Sequence, residues 1–185
     1  GLPYEQEAVV DPSMCTRCGI CVGACPTSTP FRAEDELITG IDLVHLPLKS
    51  LRKTVDQALK DATDGIVIIG CDHGPKVDGI KGTAAVKLPC VSHLPPSFID
   101  YMVSQGAGGV MIAGCPECGC RFRYGVTWMQ DRLDGRRDPY LRKRVPRDRV
   151  RTFWASKIEA EQLTTAALRF QDDLKTLSAE AADDV

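Results

Sequence analysis

Residues 108–120 read GGVMIAGCPECGC. The first seven form a short apolar run, bounded by glycine and without a helical repeat. Such a run predicts a strand buried on both faces of a sheet. Sulfur begins where the run ends, at Cys115, Cys118 and Cys120. Two similar runs lie upstream. GIVIIG (65–70) leads straight into Cys71, and AAVKLP (84–89) into Cys90. A fourth run, RVRTFWA (149–155), alternates in part and carries no cysteine.

Helical spacing fills the intervals. Leu51, Val55, Ala58, Leu59 and Ala62 predict a helix over 50–62, and Phe98, Ile99, Met102 and Val103 share one face over 96–105. Residues 123–144 predict one or two helices, broken near Gly135 and Pro139. Ala160, Leu163, Ala167, Phe170, Leu174 and Leu177 step by 3 and 4, a long amphipathic C-terminal helix to be packed on the sheet. Strands alternating with helices give an α/β fold: a small, open, mostly parallel four-stranded sheet with flanking helices. In a parallel sheet Cys71, Cys90 and Cys115 share the carboxyl edge, where open α/β sheets hold ligands. Cys118 and Cys120 follow on the loop, so five thiols converge there. A lone buried cysteine is an ordinary small hydrophobe. Three after three successive strands point instead to a metal or a cluster.

The chain has 185 residues, of which 43% are hydrophobic and nine are cysteine. A core of that size needs no disulfide staples, and tight C-x-x-C spacing suits metal better than disulfides. The formal charge of −2 gives no general affinity for nucleic acid. No apolar run reaches the length of a membrane span, and no leader pattern opens the chain. The first residue is Gly, and the expectation is a chain that is processed, trimmed or part of a longer polypeptide.

The other cysteines stand in AVVDPSMCTRCGICVGACPTSTPFR (8–32), where Cys15, Cys18, Cys21, Cys25 and Pro26 spell C-x2-C-x2-C-x3-C-P. This is the bacterial ferredoxin run. Its short spacers let thiolates wrap one 4Fe–4S cube while loop amides donate to the cluster sulfurs, and Gly19 permits close backbone approach. In two-cluster ferredoxins the fourth cysteine serves the other cluster. No second copy of the run exists here, so Cys25 either closes the same cube or reaches a neighbouring cluster. The layout expected is a ferredoxin-like iron–sulfur segment (1–32), a linker and helix (33–63) with its linker extended over 33–49, an α/β domain (64–178) and a flexible tail (179–185).

Several segments in order carry a family resemblance: GCDHG at the first strand's end, LPCVSHLPPSFIDYMVSQGAGGVMIAGCPECGCRFRYG (88–125), and RVRTFWAS. Residues from about 64 to 178 resemble the delta subunit of methyl-viologen-reducing hydrogenase, which is also found fused to heterodisulfide reductase-like proteins. The resemblance implies a 2Fe–2S cluster. It also implies electron passage between a hydrogenase or formate dehydrogenase and a flavin-containing subunit. By residue it implies Cys71, Cys90, Cys115 and Cys120 as ligands. Two departures stand out. The family has C-x2-C at the first strand, where this chain has Gly74, and Cys118 lies between the last two thiols. Cys118 is therefore an alternative ligand.

His73 and His93 lie near Cys71 and Cys90 and are expected to hydrogen bond around a cluster, ligation being the alternative. His45 has no partner in the sequence. Residues 121–151 hold eleven Arg and Lys against four Asp. A solvated face is the plain reading; a docking surface for an acidic partner is the sharper one. Trp128 and Trp154 are expected in the core or at an interface. GAGG (106–109) precedes its strand and is no dinucleotide fingerprint.

The function expected is an iron–sulfur subunit or domain with no substrate chemistry of its own. It relays single electrons between a redox partner (hydrogenase, formate dehydrogenase, flavin subunit or cytochrome complex) and another carrier. Its cofactors are a 4Fe–4S cluster and a second, 2Fe–2S, cluster. Its setting is cytoplasmic or peripheral to a membrane complex, with no nucleic-acid partner. The rival is a zinc-stabilised scaffold, and a Cys118–Cys120 thiol switch is the third option.

Overall fold

The computed structural model describes residues 10–33, 35, 41–43, 45–62 and 65–183. Four strands form one sheet: β1 (Ile66–Cys71), β2 (Thr83–Leu88), β3 (Gly109–Gly114) and β4 (Val150–Trp154). Their order is β2-β1-β3-β4, and every neighbouring pair is parallel. β1 and β3 are central and buried at all six positions, which is why their sequences are apolar without alternation. The edge strands β2 and β4 keep exposed positions, which is why their sequences mix in Lys87, Arg151 and Thr152.

Alternation along the central strands divides the core into two layers. Val67, Ile69, Val110 and Ile112 face a cluster with Leu51 and Val55 of α2 (Leu48–Ala62), Phe98 and Ile99 of α3 (Pro96–Ser104), and Met129 of α4 (Gly125–Leu133). Ile66, Ile68, Met111 and Ala113 face Leu163, Ala167 and Phe170 of the C-terminal helix α5 (Ala160–Asp183). Emptying either layer is expensive: truncating a buried Phe such as Phe98 to Ala removes about 3–5 kcal/mol.

The short helix α1 (Ile20–Ala24) lies against the 3₁₀ turn Val91–His93, which follows β2. The N-terminal cysteine run is thereby seated at the carboxyl edge of the sheet.

Several boundaries differ from the sequence reading. Cys71 is the last residue of β1 and not the residue after it. α2 starts at Leu48, its first amide held by the Asp42 carboxylate at 3.0 Å. Of the one or two helices expected over 123–144, the structure has one α-helix, α4, which ends before Gly135 as expected. Beyond Leu133 the chain turns through Gly135, at φ 76°, a conformation that glycine adopts without Cβ strain. α5 runs to Asp183, past the last periodic apolar residue, because nothing in SAEAAD opposes helix. Of the extended linker expected over 33–49, residues 34, 36–40 and 44 lie outside the described residues, Leu43 and Leu46 form an isolated antiparallel bridge, and the last two residues belong to α2. Among the described residues, no helix is long and apolar enough to cross a membrane.

Candidate metal centre

β2, β1 and β3 are adjacent and parallel, so their carboxyl ends meet. Cys71 closes β1, Cys115 follows β3 directly, and Cys90 stands two residues past β2. All three are buried. The Cys71 and Cys115 sulfurs are 3.6 Å apart. That is too long for a disulfide. It is close to the ~3.8 Å that two thiolates span on one tetrahedral metal with ~2.3 Å metal–sulfur bonds.

Cys90 and Cys120 meet across Gly125, the first residue of α4. A methyl group on Gly125 would stand 2.3 Å from the Cys90 sulfur and 3.4 Å from that of Cys120. Glycine is required there by space alone. Cys120 also lies within hydrogen-bonding reach of Cys115, so the four thiols form one group. Among the described residues no three donors close on a single ion-sized point.

Cys118 sits on the 3₁₀ turn Glu117–Gly119 and is exposed. The site is also tight at position 74, where the resemblance leads one to expect a cysteine. A Cβ on Gly74 would stand 3.0 Å from the Gly114 carbonyl carbon and 3.2 Å from the Cys115 nitrogen.

The thiols shape one another's acidity. Hydrogen bonding from Cys115 lowers Cys71 to about 7 against the cost of burial. Cys115 is raised in turn, first by that same bond. Burial pushes Cys90 up to about 12, and the neighbouring Cys120, Cys18 and Cys115 add to it. Cys18 belongs to the N-terminal run, so the two cysteine groups are electrostatic neighbours.

In that run Cys15, Cys18 and Cys21 line a cavity of about 500 Å³ with Val10, Met14, Phe122, Tyr124 and Trp128. Burial raises the Cys21 thiol, and nearby Cys18 and Cys15 raise it further. The Arg17 amide donates to the Cys15 sulfur at 3.4 Å. Cys25 ends α1, with its sulfur 3.0 Å from Thr27 Oγ1.

Two further residues sit between the groups, and only one stands out in the sequence. His93 is fully buried, and neither ring nitrogen has a hydrogen-bond partner among the described residues. Burial lowers it to about 4, so the ring is neutral at pH 7. His73 is exposed, edge-on to Phe122, and His45 is exposed. Arg132 belongs to the Arg-rich stretch, yet it is the largest fully buried side chain among the described residues. It donates to the Ser92 carbonyl at 2.9 Å and the Ile20 carbonyl at 3.5 Å. Burial lowers it to about 10, Arg137 lowers it further, and Cys90 opposes the shift. Thiols at tetrahedral spacing, orphaned polar nitrogens and a buried cation fit an anionic, sulfur-bound group.

The rest of the Arg-rich stretch divides in two. Arg144 grips buried Asp100 at 2.7–3.0 Å, with Arg142 at 3.7 Å. Arg136 pairs with Asp131 and Asp134, Arg147 donates to the Leu133 and Leu141 carbonyls, and Arg151 pairs with Asp173. Arg123 and Arg137 instead lie over Tyr124 and Trp128, whose rings stack 5.3 Å apart beside the N-terminal cavity. Trp154 is half-buried and donates to Gln130 at 3.2 Å.

Comparison with known proteins matches both parts of the chain. Residues 76–178 match the model of the methyl-viologen-reducing hydrogenase delta subunit, and residues 8–30 match a 4Fe–4S binding domain. The first match begins just after Cys71. A ferredoxin:CoB-CoM heterodisulfide reductase subunit of Methanosarcina mazei is 25% identical over 92 residues, half of this chain but 12% of that one. An F420-non-reducing hydrogenase vhc iron-sulfur subunit of Methanococcus voltae is 28% identical over 92 residues, half of this chain and 64% of that one. With more than half of its length matched by the family model, behind a 4Fe–4S binding segment, the chain belongs to the methyl-viologen-reducing hydrogenase delta subunit family.

Proposed function

We propose that this chain is a two-cluster relay within the multi-subunit redox complexes of its family, passing single electrons and transforming no substrate. The reading assigns a 4Fe–4S cluster to Cys15, Cys18, Cys21 and Cys25. It assigns a second, 2Fe–2S, cluster to Cys71, Cys90, Cys115 and Cys120. Bound, such clusters supply one-electron redox chemistry, at potentials tuned by charge, burial and hydrogen bonds to sulfur.

The observation that carries the reading is the Cys71–Cys115 approach of 3.6 Å, at the sheet edge where the ferredoxin run is seated through α1. The protein's part is positional. Parallel strands bring the sheet-edge thiols together, and Gly19 and Gly125 let the backbone close around them. The core excludes water from the sheet-edge site, while the N-terminal site keeps an open side.

The reading extends to the face a partner would use. The open side carries Met14, Tyr124 and Trp128, with Arg123 over Tyr124 and Arg137 over Trp128. That face suits an acidic redox partner, drawn in by charge and seated on apolar contacts. The relatives' names, one from a heterodisulfide reductase and one an iron–sulfur component of a hydrogenase, indicate the class of complex. A cytoplasmic setting belongs to the same reading.

The test is anaerobic purification with iron, zinc and acid-labile sulfide measured per chain, followed by EPR during stepwise reduction. About six irons and six sulfides with two reduced signals support the reading. About four irons and one zinc would make the α/β domain a zinc scaffold and leave one cluster for electrons.

A further inference from the structure

Arg132 poses an electrostatic problem. Arginine is almost never fully buried unless paired, and an unpaired buried charge is among the most unfavourable groups a fold can hold. Arg132 is 0% exposed, and its Nε has no hydrogen-bond partner among the described residues. Its two other nitrogens meet only carbonyl oxygens, those of Ser92 and Ile20. No carboxylate pairs with it among the described residues.

The two carbonyls are informative. Ser92 stands two residues past Cys90 in the 3₁₀ turn at the sheet edge, and Ile20, the first residue of α1, lies between Cys18 and Cys21. One guanidinium therefore holds a backbone oxygen from each cysteine group. The seat is tight: a Cβ on Gly23 would stand 2.0 Å from the Ser92 carbonyl oxygen and 2.8 Å from Arg132 Nη1.

We propose that Arg132 is the buried counter-charge of the sheet-edge thiolate site and clasps the N-terminal loop to it, so that it raises the reduction potential of the buried cluster. The inference rests on the iron–sulfur reading above. Its physical basis is simple. Each electron added makes a thiolate-bound cluster more negative, and a fixed positive charge within the low-dielectric interior favours the reduced form. Arg132 is a positioning and tuning residue; it is not a ligand.

The experiment compares the full-length wild type with Arg132→Gln and Arg132→Lys. Iron, labile sulfide and the midpoint potential of each EPR signal are measured by anaerobic titration. In R132Q the buried cluster is expected to become harder to reduce. The shift is about tenfold in the reduced-to-oxidised ratio at fixed poise, or about 59 mV for a one-electron couple. R132K keeps the charge but not the planar fork. Its buried-cluster potential is expected within about threefold of wild type in the same ratio. Full loading of R132Q with an unmoved potential overturns the proposal and leaves the iron–sulfur reading standing. A lysine variant shifted as far as the glutamine variant also overturns it, since geometry would then be the cause. If R132Q does not load, loading of R132K supports the need for charge, and failure of both variants overturns it. A wild type with no cluster at the sheet edge removes the proposal together with the reading beneath it.

Discussion

His93 occupies the space that a side chain on residue 19 would need. A Cβ on Gly19 would stand 2.3 Å from His93 Nδ1 and 2.4 Å from its Cγ, and Gly19 sits at φ 74°. The contact joins the N-terminal cysteine loop to the turn after β2. It demands glycine twice, for the backbone conformation and for the space.

Gly19→Ala is therefore expected to release the N-terminal segment. The left-handed conformation alone costs about 1–2 kcal/mol in alanine, and the imidazole must also move. About four irons should be lost while the sheet-edge signal persists. Iron analysis with EPR checks this; a variant with wild-type iron would show that the loop tolerates the methyl group.

Among the GCPECGC thiols, Cys115 is buried and Cys118 is exposed. Cys115→Ser should abolish the second cluster, a loss of about two irons. Cys118→Ser should keep the full complement. Equal losses in the two variants would mean that Cys118 serves as a ligand in place of another thiol.

Asp100 is 5% exposed and accepts a two-pronged grip from Arg144, tying the 139–146 loop to α3. Charge-assisted forked bonds of this kind are the stronger ones. The arginines are half open to water, which discounts the pair. Asp100→Asn should lower stability by about 1–2 kcal/mol. The readout is a lower urea midpoint with an unchanged slope. A midpoint equal to that of wild type would show the loop held by Leu141 and Val145 alone.

Ser156 and Glu159 form a capping box ahead of α5, with the Ser156 hydroxyl and amide both donating to Glu159 at 2.7 Å. Those bonds hold the Glu159 carboxyl below its usual range. A lowered carboxyl stabilises the fold above its unfolded pKa, and that share is lost as pH falls through the folded value. Ser156→Ala should cost about 1 kcal/mol near neutrality. The gap between variant and wild type should narrow in acid. Thermal melts at pH 7 and pH 3 test this, and a gap that widens in acid contradicts the assignment.

Much of this molecule was legible from residue order. Period and composition gave the four strands, because β1 and β3 are buried on both faces and must be apolar throughout. Spacing gave the ferredoxin run, because a cube needs thiols a few residues apart. Strand ends gave Cys71, Cys90 and Cys115 a common edge, because parallel strands align their carboxyl termini. Tertiary structure decided what spacing cannot encode. Cys118 and Cys120 are two residues apart in sequence, yet a 3₁₀ turn exposes the first and leaves the second beside Gly125. Arg132 looks like one more surface cation among eleven, but α4 rotates it inward onto Ser92 and Ile20, residues 40 and 112 positions away. Burial and long-range contact are properties of the packed chain. They fix which charges meet water and which meet sulfur, and residue order alone carries no such information.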